Sequence, residues 1–281
     1  MLETGENMNA GKPTVKTGDW ATNFVHHWKY YLAPARASPS DIKFIENKIK
    51  EKIIQKGKEN VKILILGATP EYRSLCAQFG VSCCCFDFSK YNHEYLTDEI
   101  KSDLKPKLKE VFTEGNWIEK DPSQQFDLIL GDNVLNVVMK NDLLKLLSIV
   151  FKSLKKDGFF MPRTYIRDKD EKWTGEKALE QYRKDADAKQ VKQMFTWTSR
   201  NFYLSAYDYK KEMMVLKDVW NVISALHAKK LISDEELEEY KKRSMELREF
   251  KFYIPLREDL DNMLEEFFTI KETFFGKEPY L

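Results

Sequence analysis

The segment Val61-Lys-Ile-Leu-Ile-Leu-Gly-Ala-Thr-Pro-Glu71 constrains the fold more than any other stretch of the chain. A run that is apolar at nearly every position has no solvent face. It reads as a strand covered on both sides, as in a parallel sheet, and it ends at a glycine just ahead of a helical stretch. The pattern recurs. Glu71 to Phe79 reads as a helix stopped by Gly80, Val81 to Phe86 as a second strand ending at Asp87, and Phe126 to Leu130 as another closed by Gly131 and Asp132. Leucines and valines from Leu143 to Leu154 form a strongly apolar helix that stops at Gly158, and Phe159 to Tyr165 reads as a strand. Strands alternating with helices over 61–165 predict an α/β, doubly wound, mostly parallel sheet.

The flanks are different. Ser38, Pro39 and Asp41 mark a capped helix start, and Ile42, Ile45, Ile49 and Ile53 follow on one face. A polar helical stretch is expected from about His93 to Lys109, interrupted by Pro106. Residues 166–250 break the alternation and read as helical, with Val215, Val219, Val222 and Leu226 on one face and a capping box at Ser233 and Glu236. Strand, helix and strand return over 251–254, 257–266 and 269–275, so the middle reads as an insertion into one α/β domain.

With 281 residues the chain is long enough for one large domain. Its 46 Lys+Arg and 45 Asp+Glu give a net charge of +1, which leaves no electrostatic footprint for DNA or an anionic membrane surface. No apolar run approaches the ~20 residues of a membrane span, and Met1 to Lys16 lacks the apolar core of a secretory signal. The four cysteines are Cys76, Cys83, Cys84 and Cys85. Their spacing suits neither a disulfide framework nor a zinc site. They are expected as small apolar residues on a buried strand in a reducing compartment, the cytoplasm.

Chemistry concentrates at the first turn. Gly67 lets a ligand approach the backbone, and Asp87 lies 20 residues later at the end of the next strand, where an acid can accept from ribose hydroxyls. The further glycines of a G-x-G-x-x-G turn are missing, and Glu71 stands near the mouth. That disfavours a diphosphate, and hence a nicotinamide cofactor. It suits an adenosine cofactor bearing a cationic amino group and a sulfonium.

Leu66-Gly-Ala-Thr-Pro-Glu71 resembles the LGxTPE variant of motif I in class I S-adenosylmethionine-dependent methyltransferases. Arg36-Ala-Ser-Pro-Ser-Asp41, Phe86-Asp-Phe-Ser89, Gly115-Asn-Trp117, Phe126 to Asn136, Leu154 to Phe160 and Tyr253 to Leu260 are similar to further segments of that family, over about 30–165 and 250–276. The resemblance implies a Rossmann-like, three-layer sandwich around a mostly parallel seven-stranded sheet. A last antiparallel strand is implied near 269–275. The resemblance leaves the helical insertion uncovered; the chain's own pattern divides the sequence into an N-terminal aromatic segment and helix over 1–56 covering the cofactor site, a cofactor domain over 57–165 and 251–281, and a helical insertion over 166–250 expected as the substrate cap. S-adenosylmethionine is the implied cofactor. Gly67, Ala68 and Thr69 would line its methionine and ribose part, Asp87 would take the ribose diol, and Phe88, Asn116 and Trp117 would border the adenine. Asp132 would reach the amino group or the methyl-transfer centre, and Glu71 and Asn133 complete the implied set. Ile65 stands where most class I enzymes carry an acid, and Asn116 replaces the usual Asp.

His26, His27, Trp28, Tyr30 and Tyr31 read either as a lid, since aromatic faces attract a sulfonium, or as a helix packing its rings on the domain. Adjacent histidines cannot both face one site from a helix, so no metal is expected. Methyl transfer from a sulfonium is mainly a matter of alignment and water exclusion. The catalytic residue therefore stays open among Asp132, Arg163, Tyr165, His26 and His27. The N/D-P-P-Y/F signature of amino-group nucleic-acid methylases and the Pro-Cys of cytosine methylases are both absent. The expected acceptor is a small organic molecule, enclosed in part by Met194 to Tyr203. The alternatives are a non-catalytic module binding S-adenosylmethionine or S-adenosylhomocysteine, or a methyltransferase acting on RNA or protein.

Overall fold

The computed structural model describes residues 25–31, 35–188, 200–244 and 247–276. The expectations for 1–24, for 194–199 and for the side chains of His27 and Tyr30 lie outside the described residues. A short 3-10 turn, Val25–Tyr30, precedes helix α1, Pro39–Lys56. Ser38 caps α1 as its sequence predicts: its hydroxyl accepts from the Asp41 N–H at 3.1 Å, and its own N–H donates to Asp41 Oδ2 at 2.9 Å. The order continues through β1 (Lys62–Leu66), α2 (Pro70–Phe79), β2 (Ser82–Asp87), α3 (Lys90–Thr97) and β3 (Lys109–Glu114). It then runs through β4 (Phe126–Asp132), α4 (Val134–Val137), α5 (Lys140–Ser153) and β5 (Leu154–Arg163).

These five strands form one parallel sheet in the order β3-β2-β1-β4-β5. The chain leaves β1 toward β2 on one side and returns to β4 on the other, so the order reverses between β1 and β4 and opens a crevice at their carboxyl ends. Ile63, Ile65, Leu128 and Leu130 pack against α1 and α2, while Leu64, Ile129 and Phe126 pack against α4 and α5. Every side chain of β1 after Lys62 is buried, which is why the segment is apolar throughout.

Two expectations are corrected. Among the described residues the main sheet has five strands rather than seven. Lys251–Phe252 (β7) pairs antiparallel with Met214–Val215 (β6) of the insertion, outside the main sheet. Residues 269–275 form no strand; Phe267 and Phe268 wedge against Phe151, and Phe274 stacks on Phe44 of α1. Pro162 in β5 also removes a backbone donor from this edge strand. Second, the polar helix expected over about 93–109 ends at Thr97, a 3-10 turn stands at Lys105–Lys107, and β3, unread in the sequence, follows. Val111 of β3 is 64% exposed, and Val111-Phe112 is the only apolar pair in a strand otherwise of Lys, Glu and Thr, so this edge strand carries no apolar run to betray it.

The insertion contains α6 (Gly175–Ala188), α7 (Arg200–Ser205), α8 (Leu216–Ala228) and α9 (Asp234–Ser244), and α10 (Arg257–Glu265) follows it. Ser233 and Glu236 form the expected capping box at the start of α9. Tyr182, Phe202, Val219, Ile223 and Phe252 build a core of the insertion's own. Asn136 ties it to the sheet. Its Nδ2 donates to the carbonyls of Tyr165 and Tyr253 at 2.9 and 2.8 Å, and its Oδ1 accepts from the Tyr165 N–H and the Thr164 hydroxyl, each at 2.8 Å. Both chain crossings between the two parts thus close on one fully buried amide. No helix among the described residues is long and apolar enough to cross a membrane.

Candidate functional site

Gly67 ends β1 at φ 100°, a conformation that L side chains rarely adopt. Its N–H donates to the Phe86 carbonyl at 2.8 Å, and the Trp117 indole donates to the same oxygen at 2.6 Å. A Cβ on Gly67 would stand 3.8 Å from both Asp87 Oδ2 and Trp117 Cζ2. The turn is therefore a narrow cradle with a carboxylate on one side and an indole on the other. Thr69 makes no side-chain cap to α2 and Pro70 follows it, so the first N–H groups of α2 have no side-chain acceptor from the cap.

Asp87 is 7% exposed, and its Oδ1 accepts from the Ser89 N–H at 2.9 Å. Burial pushes its carboxyl up to about 6, against the pull of that hydrogen bond and of His93. Asp132, at the tip of β4, is bound by Arg163 of β5, whose Nε donates to Oδ1 at 2.7 Å. Burial raises the Asp132 carboxyl and the guanidinium opposes it, so the two form a compensated buried pair.

Gly67, Ala68, Thr69, Asp87, Trp117, Asp132 and Asn133 converge on one cavity of about 120 Å³ at the carboxyl ends of β1, β2 and β4. Trp28, Tyr31 and Tyr165 line it as well, joined by Tyr203, Tyr240, Phe250 and Phe252 from the insertion and its return. Val25 and Trp28 pack on Ala68 and Leu96, so the 3-10 segment lies against the turn. A larger groove of about 1220 Å³ runs along the outer edge of β5, between α1 and the C-terminal segment. Size alone favours that groove, but the glycine turn, the buried acid and the strand order place the candidate site at the smaller cavity.

Three implied residues stand elsewhere. Glu71 is held by the Arg36 guanidinium, Nε to Oε1 at 2.6 Å, while Oε2 is buried with no hydrogen-bond partner. Phe88 is 37% exposed and outside the lining. Asn116 is exposed and spends its Oδ1 on the Ile118 N–H at 3.2 Å. His26 is exposed and bonds the Tyr91 hydroxyl at 2.9 Å. Asn92 went unread in the sequence. It is 6% exposed, lines the cavity, and has a buried Oδ1 without a hydrogen-bond partner. Only its position, five residues after Asp87 and inside a helix capped by Ser89, marks it.

No family model matches the chain, and no curated protein matches it. Among solved structures it is similar to an S-adenosylmethionine-dependent methyltransferase from Clostridium acetobutylicum, at 20% identity and TM-score 0.38, over 45% of this chain and 51% of that one. It is similar to the glycopeptide N-methyltransferase MtfA at 14% identity and TM-score 0.35, over 43% and 55%. It is also similar to a candidate Zn-dependent alcohol dehydrogenase from Rhodobacter sphaeroides at 14% identity and TM-score 0.49, over 86% and 85%. The chain spans about half the length of those two methyltransferase structures. At these identities and scores the functional reading stands on the chain's own geometry.

Away from the cavity, Cys83, Cys85 and Glu110 bring their sulfur and oxygen atoms within 4.8 Å of one another. Arg73, fully buried, already engages both Glu110 oxygens at 2.9 and 2.6 Å. Hydrogen bonding between neighbouring thiols, together with burial, pushes the Cys83 and Cys85 thiols up. Protonated thiols beside a committed carboxylate make a structural polar cluster rather than a ready ligand set.

Proposed function

We propose that the chain is an S-adenosylmethionine-dependent methyltransferase acting on a small organic acceptor by in-line transfer. One observation carries the reading: the Gly67 turn, the buried Asp87 and the Trp117 indole form a single cradle over the carboxyl ends of β1 and β2, beside the point where the strand order reverses. The cradle fits a nucleoside. Gly67 leaves room for a ribose beside the Asp87 carboxylate, Trp117 offers a flat apolar face, and Asn92 Oδ1 is a buried acceptor with no donor of its own. Gly67, Ala68, Thr69, Asp87, Asn92 and Trp117 would hold the cofactor, which supplies an activated methyl group on a sulfonium. The aromatic lining suits that cation, and no G-x-G-x-x-G turn is present for a diphosphate.

The chain's own residues bind, orient and exclude water. Trp28 and Tyr31 close one side as a lid, and the helical insertion closes the other as a substrate cap. Arg163 keeps Asp132 in a fixed ion pair, which supports a positioning role for that acid over a proton-transferring one. The four buried, unpaired cysteines support a reducing compartment such as the cytoplasm.

The test is calorimetric titration with S-adenosylmethionine and S-adenosylhomocysteine, followed by mass spectrometry of a metabolite panel incubated with the chain and S-adenosylmethionine. Binding plus a methylated product is the expected result. Binding with no transfer to any acceptor would establish the non-catalytic module instead. Tight RNA binding that falls steeply with salt would replace the small-molecule acceptor with a polynucleotide.

A further inference from the structure

The groove along the outer edge of β5 has no part in methyl transfer. It holds about 1220 Å³ and is lined by every residue from Leu154 to Tyr165, so it follows the whole strand. Asp41 and Lys52 of α1 both line it, which makes the slot at least about 16 Å long. Its walls are aromatic: Phe44 and Phe159 on one side, and Phe151, Phe160 and Phe268 on the other. An elongated slot with apolar walls suits a long, thin, apolar ligand.

One end carries a charge that the chain leaves unmatched. Lys52 is 2% exposed, and its Nζ donates to the Asp157 carbonyl and lies 4.4 Å from the Phe159 ring centroid. An ammonium has three donors, yet among the described residues Lys52 has no ion pair. The nearby acid, Asp127, is taken by Lys56 and Lys155, each at 2.7 Å. Farther along the groove Glu272 pairs with Lys48 at 3.0 Å and Asp261 with Arg257 at 3.5 Å. Burial pulls the Lys52 ammonium below its ordinary pKa, the mark of a cation that has lost water without gaining an anion. Lys152 and Lys156, at the junction of α5 and β5, add positive charge to the same end. A peptide strand laid on β5 would need the donors of that edge, and Pro162 removes one. An acyl chain needs none.

We propose that this groove binds an unbranched long-chain carboxylate, such as a fatty acid, with the acid head on Lys52 and the chain laid along β5. At about 1.5 Å per carbon–carbon bond, a chain of about ten carbons lies within the slot. The groove shares Tyr165 with the cofactor cavity and is otherwise separate from it, so the ligand does not compete with the cofactor.

Calorimetry of the full chain with octanoate, decanoate and decanol, each below its micelle-forming concentration, tests the assignment. Each buried methylene is worth about fourfold in affinity, so decanoate is expected to bind about 15-fold more tightly than octanoate. It is expected to bind about tenfold more tightly than decanol, whose head carries no charge. Lys52→Met keeps the side chain's length and removes the ammonium. It should erase the preference for the acid and keep the dependence on chain length, with Lys52→Gln in its place if it does not fold by circular dichroism. Saturating S-adenosylhomocysteine should leave decanoate binding intact. Equal binding of octanoate and decanoate, or a preference for the acid that survives loss of the ammonium, overturns the assignment. Decanoate binding abolished by S-adenosylhomocysteine would place the acid in the other cavity and overturn it too. No binding of decanoate, with a dimer in sedimentation velocity, would give the groove to a second copy of the chain.

Discussion

The Asp87 carboxyl, held up at about 6 by burial, makes the site sensitive to pH in two opposite ways. In the ligand-free chain a raised acid stabilises the fold below its unfolded value of 3.8, and that contribution is lost as pH rises through 6. A ribose diol donates best to the ionised form, so S-adenosylmethionine affinity should be full above about 6. Below that it should fall by up to about tenfold per pH unit. Asp87→Ala should weaken binding by about 10- to 100-fold at pH 7.5 and flatten this dependence. Calorimetry at several pH values checks both, and unchanged affinity in a folded variant would move the ribose elsewhere. Asp87 was legible because its offset from Gly67 follows from the length of one strand–helix–strand unit. Glu71 and Asn116 lie outside the cavity lining because a resemblance of motifs places backbones, and Arg36 and the Ile118 N–H then claim the side chains. Asn92 was illegible for the converse reason: an asparagine in a polar helix looks solvated until its neighbours are known.

Among the elements, α2 is fastened to β3 by a contact that no pattern announces. Burial alone would raise the Glu110 carboxyl, but hydrogen bonds from His93 and from the buried Arg73 hold it down at about 2. A depressed acid stabilises the fold above its unfolded value of 4.5 and loses that contribution as pH falls toward 2, worth about 3 kcal/mol in all. Glu110→Gln should therefore lower stability at pH 7 and weaken its dependence on pH between about 2 and 4.5, by urea melts across that range. Asn136→Ala should cost about 2–4 kcal/mol, because it orphans the carbonyls of Tyr165 and Tyr253 and the N–H of Tyr165 in a dry interior. A loss below about 1 kcal/mol would show that water replaces the amide. β1, β2, β4, α1 and α5 were readable since each is apolar on a covered face or capped by local chemistry. β3 and the pairing of β7 depend on partners distant in sequence.

In the whole molecule, the 3-10 segment, the sheet and the insertion meet at the cavity, while the C-terminal segment straps the far edge. It bridges Phe151 on one face of β5 and Phe44 on the other. Alternation over 61–165 was enough to place the sheet and the crevice. The seven-strand expectation failed because the resemblance carried over a late strand near 269–275 that the chain does not form; the aromatics there pack by their rings. The buried cysteines then acquire a use unrelated to ligation. All four sit in α2, the helix that follows the glycine turn, and in β2, the strand that ends at Asp87. A thiol reagent such as Ellman's should modify the native chain only during transient opening of that region, so its labelling rate is a clock for such openings. Ligand that binds only the closed form should slow the clock in proportion to 1 + [L]/Kd, about 100-fold at a concentration of 100 Kd. Fast labelling indifferent to saturating S-adenosylmethionine would mean that α2 and β2 open without disturbing the site.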